Sequence, residues 1–134
     1  DGYSVGVIKH DGHEYSMDHD GTDTRRFTEA GAQISAIYSG TQSSVNRSGE
    51  VSVEQMIEQC NDVDVLILEG QKASAYPKVE VVRREISDSP VCDPKYLIAI
   101  ATDVVKQDAV SCPVYEINDA AGIYTCILKY FSVR

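Results

Sequence analysis

Val63-Asp64-Val65-Leu66-Ile67-Leu68-Glu69-Gly70 is the stretch on which the fold turns. From Val63 to Leu68 only Asp64 interrupts the apolar residues, and the run closes on an acid and a glycine. A short, nearly continuous apolar run suits a central strand buried on both faces, as parallel sheets require. Leu97 to Ala101 (LIAIA), entered from Lys95-Tyr96, reads the same way, and so does Tyr3 to Lys9, which is short and β-branched. Gln33 to Tyr38 and Pro113 to Ile117 are two further strands. Lys78 to Arg83 (KVEVVR) alternates apolar and charged residues and predicts a strand with one wet face.

Helical segments fall between these strands. Thr22-Asp23-Thr24 offers cap chemistry for a helix over Thr24 to Ala32. Ser52 opens a helix running to about Cys60, with Val53, Met56, Ile57 and Cys60 at helical spacing on one face. Asp103 to Gln107 predicts a helical turn, and Asn118 caps a final helix through Lys129. His10 to Asp23, Ser39 to Glu50 (polar and mobile) and Asp88 to Pro94 read as loops. Strands alternating with helices predict an α/β fold, mainly parallel, in a single domain over residues 1–134. Beginning at Asp1, on the edge of a strand, the chain is expected to be an N-terminally incomplete piece of a longer one.

The formal net charge is −9, from 12 basic and 21 acidic residues. That balance argues against wrapping nucleic acid, which needs clustered Lys and Arg, but leaves room for a local basic pocket holding one small phosphorylated ligand. No apolar run reaches the roughly 20 residues of a membrane span, and no secretory signal pattern is visible. Cys60, Cys92, Cys112 and Cys126 form no CxxC pair. Such spacing is expected of reduced thiols in a cytoplasmic protein.

In open parallel sheets ligands bind beyond the carboxyl ends of the strands. Three strands here end in chemically active groups: Lys9-His10-Asp11, Glu69-Gly70 and Thr102-Asp103. Val65 to Gly70 has the form of a Walker B strand, whose terminal acid holds Mg²⁺ and whose glycine admits a phosphate, or simply of a buried strand with the polar exit any such strand needs. Asp103 suits recognition of the N1–H and exocyclic amine of guanine, or simply a helix cap. The loop containing His10, Asp11, His13 and His19 reads either as solvated or as ligands to a transition metal in a hydrolase. Lys9 with Arg25 or Arg26 would favour an anion instead, and Lys72, Lys78 and Arg83 add positive charge after the Glu69-Gly70 strand end, with Lys78 and Arg83 alternatively facing water.

Taken in order, these segments resemble one family. Val5-Gly6-Val7-Ile8-Lys9-His10-Asp11-Gly12-His13, Asp23-Thr24-Arg25-Arg26, Glu69-Gly70-Gln71-Lys72 and Pro77-Lys78-Val79-Glu80-Val81-Val82-Arg83 are similar to the MobB family of GTP-binding adapters in molybdenum-cofactor maturation. The resemblance implies a P-loop NTPase-like fold, GTP and Mg²⁺ as ligands, slow GTP hydrolysis at most, and homodimerisation. It implies as partner the guanylyltransferase that attaches GMP to molybdopterin. By the same carry-over Lys9, His10 and Asp23 lie near the phosphates. Glu69 and Gly70 take the Walker B position, with Glu69 toward the metal, and Asp103 takes the guanine-reading position. The family opens with a strand, a GxxxxGK[ST] loop and a helix, about 30 residues in all. No such motif occurs in this sequence, so tight GTP binding by this polypeptide alone is expected to fail, and a scaffold without a ligand is the alternative.

Overall fold

A computed structural model describes residues 2–13, 15 and 18–132. The chain divides into two compact units, Asp1–Gly70 and Gln71–Arg134. The elements of the first are β1 (Val5–Lys9), α1 (Asp23–Glu29), β2 (Ile34–Tyr38), β3 (Ser43–Arg47), α2 (Val53–Gln59) and β4 (Val65–Glu69). The second holds β5 (Lys78–Val82), β6 (Leu97–Thr102), β7 (Val114–Glu116) and α3 (Ala120–Ser132). Two short 3₁₀ turns, Pro94–Tyr96 and Gln107–Ala109, flank β6.

In the first unit β1 and β4 pair in parallel, in a register that runs from Val5 opposite Val65 to Lys9 opposite Glu69. The start of the ladder is locked by side chains. The Asp64 carboxylate accepts from both the backbone N–H and the hydroxyl of Ser4, and the Ser4 Oγ accepts from the Asp64 N–H. β4 is less covered than its composition predicts. Val65 and Ile67, with Val5 and Val7 on the neighbouring strand, are 38% to 63% exposed, whereas Ile8 is buried and Leu66 and Leu68 are half-buried. Val5, Val7, Val65 and Ile67 share one face of this two-stranded ribbon, which is open, while Ile8, Leu66 and Leu68 lie on its better covered face.

Ser39–Glu50 is not wholly a loop. Ser43–Arg47 forms β3, antiparallel to β2, after a turn in which the Ser39 hydroxyl accepts from the N–H of Thr41 and of Gln42. All five β3 side chains are exposed, so no apolar alternation marked the strand; backbone pairing forms it. α1 starts at Thr22, whose hydroxyl accepts from the Arg25 N–H, and packs against β2. Ser52 and Gln55 close a reciprocal capping box on α2, satisfying two otherwise orphan amides.

The second unit is a three-stranded parallel sheet, β5-β6-β7. β6 is central and buried from Ile98 to Thr102, as its apolar sequence predicts. Val82, Ile100 and Cys112 form the core, with Leu97, Val104, Val105 and Val110 packed around it, and α3 packs on β6. Two local expectations fail here. The predicted turn at Asp103–Gln107 lies later, at Gln107–Ala109. The Thr102 hydroxyl takes the amides of Val104 and Val105, while Asp103 is engaged by Arg84, so neither opens a helix. The last helix is capped by the Asp119 carboxylate, which accepts from the Gly122 N–H, rather than by the Asn118 side chain.

Candidate functional site

β1 and β4 run in the same direction, so both deliver their last side chains to one edge. There the Lys9 ammonium lies 3.1 Å from a Glu69 carboxylate oxygen, and both side chains are well exposed. The ladder continues one rung further, with the His10 N–H donating to the Glu69 carbonyl at 2.9 Å. Gly70 then turns the chain with φ +86°, a conformation that side-chain-bearing residues adopt only at a cost. A Cβ at Gly70 would fall 2.6 Å from the His10 carbonyl oxygen. Glycine here serves the approach of one strand exit to the other.

Four of the six predicted site residues therefore come together: Lys9, His10, Glu69 and Gly70. Asp23 sits in the first turn of α1, where it pairs with Arg26 at 3.8 Å. Asp103 belongs to the second unit, at the end of β6, where its carboxylate accepts from the Arg84 N–H at 2.9 Å and its carbonyl from the Arg84 guanidinium. In the histidine loop, whose residues 14, 16 and 17 lie outside the described residues, His13 Nδ1 is 3.6 Å from Asp11. Among the described residues no three His, Cys, Asp or Glu side chains converge on a metal-sized position.

Sequence reasoning missed the organising residues of β5. Lys78, Glu80 and Val82 share one face, and that face is turned inward: Glu80 is buried while Val81 is 56% exposed. The Glu80 carboxylate accepts from the Val91 N–H at 2.7 Å and the Cys92 N–H at 3.1 Å. Lys78 Nζ donates to the carbonyls of Gln71, Lys72 and Ser74 and to the Ser74 hydroxyl. Read as alternation, these charges predicted a wet face; they are instead satisfied by backbone groups, which is what makes charge tolerable away from water. No spacing in the sequence marked these partners, since the groups that satisfy Lys78 and Glu80 are backbone amides and carbonyls.

The cysteines are free thiols, Cys112 buried and the others half-buried. Burial pushes the Cys92 and Cys112 thiols up, with the nearby Glu80 carboxylate adding to the effect at Cys92. No described helix is long and apolar enough to cross a membrane.

Parallel strands accompanied by helices define an α/β protein, one that brings an acid and a lysine together at adjoining strand ends. Comparison with known proteins specifies the family. The sequence model described as molybdopterin guanine dinucleotide synthesis protein B, MobB, matches residues 1–103, and the chain belongs to that family. A Bacillus subtilis (strain 168) protein described as a probable molybdopterin-guanine dinucleotide biosynthesis adapter protein is 32% identical over 103 residues, covering 74% of this chain and 59% of its own. The chain thus spans about three fifths of that relative's length. The crystal structure of Bacillus subtilis MobB superposes with TM-score 0.72 at 24% identity, covering 94% of this chain and 79% of that one. A crystal structure of a molybdopterin-guanine biosynthesis protein B gives 0.64 at 18% identity, covering 96% and 80%. At such identities these superpositions bear on the fold alone.

Proposed function

We propose that this chain acts in molybdenum-cofactor biosynthesis as part of a GTP-binding adapter, assisting the guanylyltransferase that attaches GMP to molybdopterin. On this reading it works as a homodimer in the cytoplasm, where its four free thiols persist reduced. Membership of the MobB family supports the pathway. The single observation that carries the ligand is the pairing of Lys9 and Glu69 at the carboxyl ends of two parallel strands.

The residues fit the metal side of such a ligand. Mg²⁺ is held by one or two carboxylates together with phosphate oxygens and waters, and Glu69 is an exposed strand-end carboxylate free to turn outward from Lys9. Mg²⁺ held there by Glu69 would supply positive charge to offset that of the phosphates. Lys9, released from Glu69, would meet a phosphate as a cation, while His10 and Gly70 fix the backbone on which both side chains stand. The phosphate cradle is a different matter. The space beside Gly70, where a phosphate would approach the backbone, is filled by the His10 carbonyl, and GxxxxGK[ST] does not occur in the sequence. On this reading Asp23 adds to the phosphate-facing segment, and the guanine-reading role that the resemblance gives Asp103 would need the Asp103 carboxylate released by the Arg84 N–H. The role is accessory, with GTP hydrolysis slow at most. Mg²⁺-dependent GTP binding, measured by calorimetry, tests it. Retention of the transferase without any nucleotide binding would support the scaffold reading instead.

A further inference from the structure

The second unit carries a shallow cleft of about 340 Å³ lined by Lys72, Ala73, Ser74, Val91, Asp93 and Tyr96. That volume is at the small end of ligand sites. The two walls are loops, and side chains from one strand hold both. Lys78 gathers carbonyls from Gln71, Lys72 and Ser74, and Glu80 takes the amides of Val91 and Cys92. Being two residues apart on β5, they act from the same face. Tyr96 adds an aromatic surface, fixed by the Lys95 ammonium 4.6 Å and the Lys78 ammonium 5.7 Å from its ring centroid. Such a cleft is preformed, so a ligand meets little ordering cost.

Charge within it is unevenly spoken for. The Asp93 carboxylate accepts from the Lys95 N–H and pairs with the Lys95 ammonium at 3.3 Å. Lys78 is surrounded by oxygens. Among the described residues no hydrogen bond or ion pair engages the Lys72 ammonium. Residues 71–134, with 8 acidic and 8 basic side chains, carry no formal net charge, unlike residues 1–70 with 13 acidic and 4 basic. Lys72 is thus an available cation at a cleft whose other surfaces, Ala73, Val91 and Tyr96, are largely apolar.

We infer that this cleft binds a small apolar or aromatic molecule carrying one acidic group, with Lys72 meeting the anion and Lys78 and Glu80 as positioning residues. The site lies wholly within Gln71–Arg134 and uses none of the residues assigned to Mg²⁺ or GTP. Phenyl phosphate titrated into the ¹⁵N-labelled chain is expected to give saturable shifts at the amides of Lys72, Ala73, Ser74, Val91 and Asp93. Lys72→Met should weaken that binding by about tenfold, the factor of one charge-assisted contact, with the thermal midpoint unchanged. Glu80→Gln should weaken it several-fold at a temperature where amides remote from the cleft keep their wild-type shifts. Absence of saturable shifts, or equal affinity in Lys72→Met, would overturn the site. Inorganic phosphate binding as tightly as phenyl phosphate would overturn its apolar half, and unchanged affinity in Glu80→Gln would overturn the positioning role.

Discussion

Replacing Glu80 by Ala should be among the most costly single changes in the second unit. The side chain is only 9% exposed, and its carboxylate receives the Val91 N–H at 2.7 Å and the Cys92 N–H at 3.1 Å. A hydrogen bond to a charged group contributes ~1.5 to 3 kcal/mol. Truncation removes two, but both amides sit on a half-buried loop that water can reach in part, so the expected loss is about 3 kcal/mol. At a urea dependence of about 2 kcal/mol per molar, ordinary for a small protein, the unfolding midpoint falls by about 1.5 M. Glu80→Gln keeps one acceptor oxygen and turns an N–H₂ toward the second amide, so it should lose roughly half as much. Urea unfolding followed by far-UV circular dichroism measures both. A Glu80→Ala midpoint within a few tenths molar of wild type would refute the reasoning, as would Gln proving worse than Ala.

Gly70→Ala is expected to cost about 2 to 3 kcal/mol, combining a left-handed backbone at φ +86° with a methyl group driven into the His10 carbonyl; a urea midpoint shift as small as that of an ordinary exposed strand-end substitution would contradict this. The Asp64 carboxyl is held below its usual range, chiefly by the hydrogen bond from the Ser4 hydroxyl and then by the Ser4 backbone amide. Its folded value lies below the ordinary 3.8, so the contribution is present above pH 3.8 and is lost as the pH falls through the lower, folded value. Asp64→Asn should therefore be less stable than wild type at pH 5 to 7 and converge with it under stronger acid, as thermal melts across that range would reveal; a constant difference down to pH 2 would refute it.

How far the sequence could be read depends on where each instruction is written. Leu97–Ala101 announced a buried central strand because parallel pairing on both sides demands apolar residues on both faces, and β6 is that strand. Ser52 with Gln55 announced the start of α2 because a cap is a local bond. β3 carried no such mark, since its side chains all face water and only the backbone of β2 holds it. Val65 and Ile67 promised a doubly covered strand because composition reports apolarity, not what packs against each face. The meeting of Lys9 with Glu69 was readable once both strands were taken as parallel, because parallel strands in register must bring their ends together. The inward turn of Lys78 and Glu80 was not, because their partners are amides and carbonyls, which every residue has. Asp103 shows the converse: a strand-end acid in the expected place, with a local partner, Arg84, that no spacing rule indicated.

Calorimetry of GTP with Mg²⁺, wild type beside Glu69→Gln, bears on the strand-end site without intermediaries. The account predicts saturable binding that needs Mg²⁺ in the wild type, and loss of the Mg²⁺-dependent part in Glu69→Gln with the fold intact. No binding by the wild type, or binding that ignores both Mg²⁺ and Glu69, would contradict it.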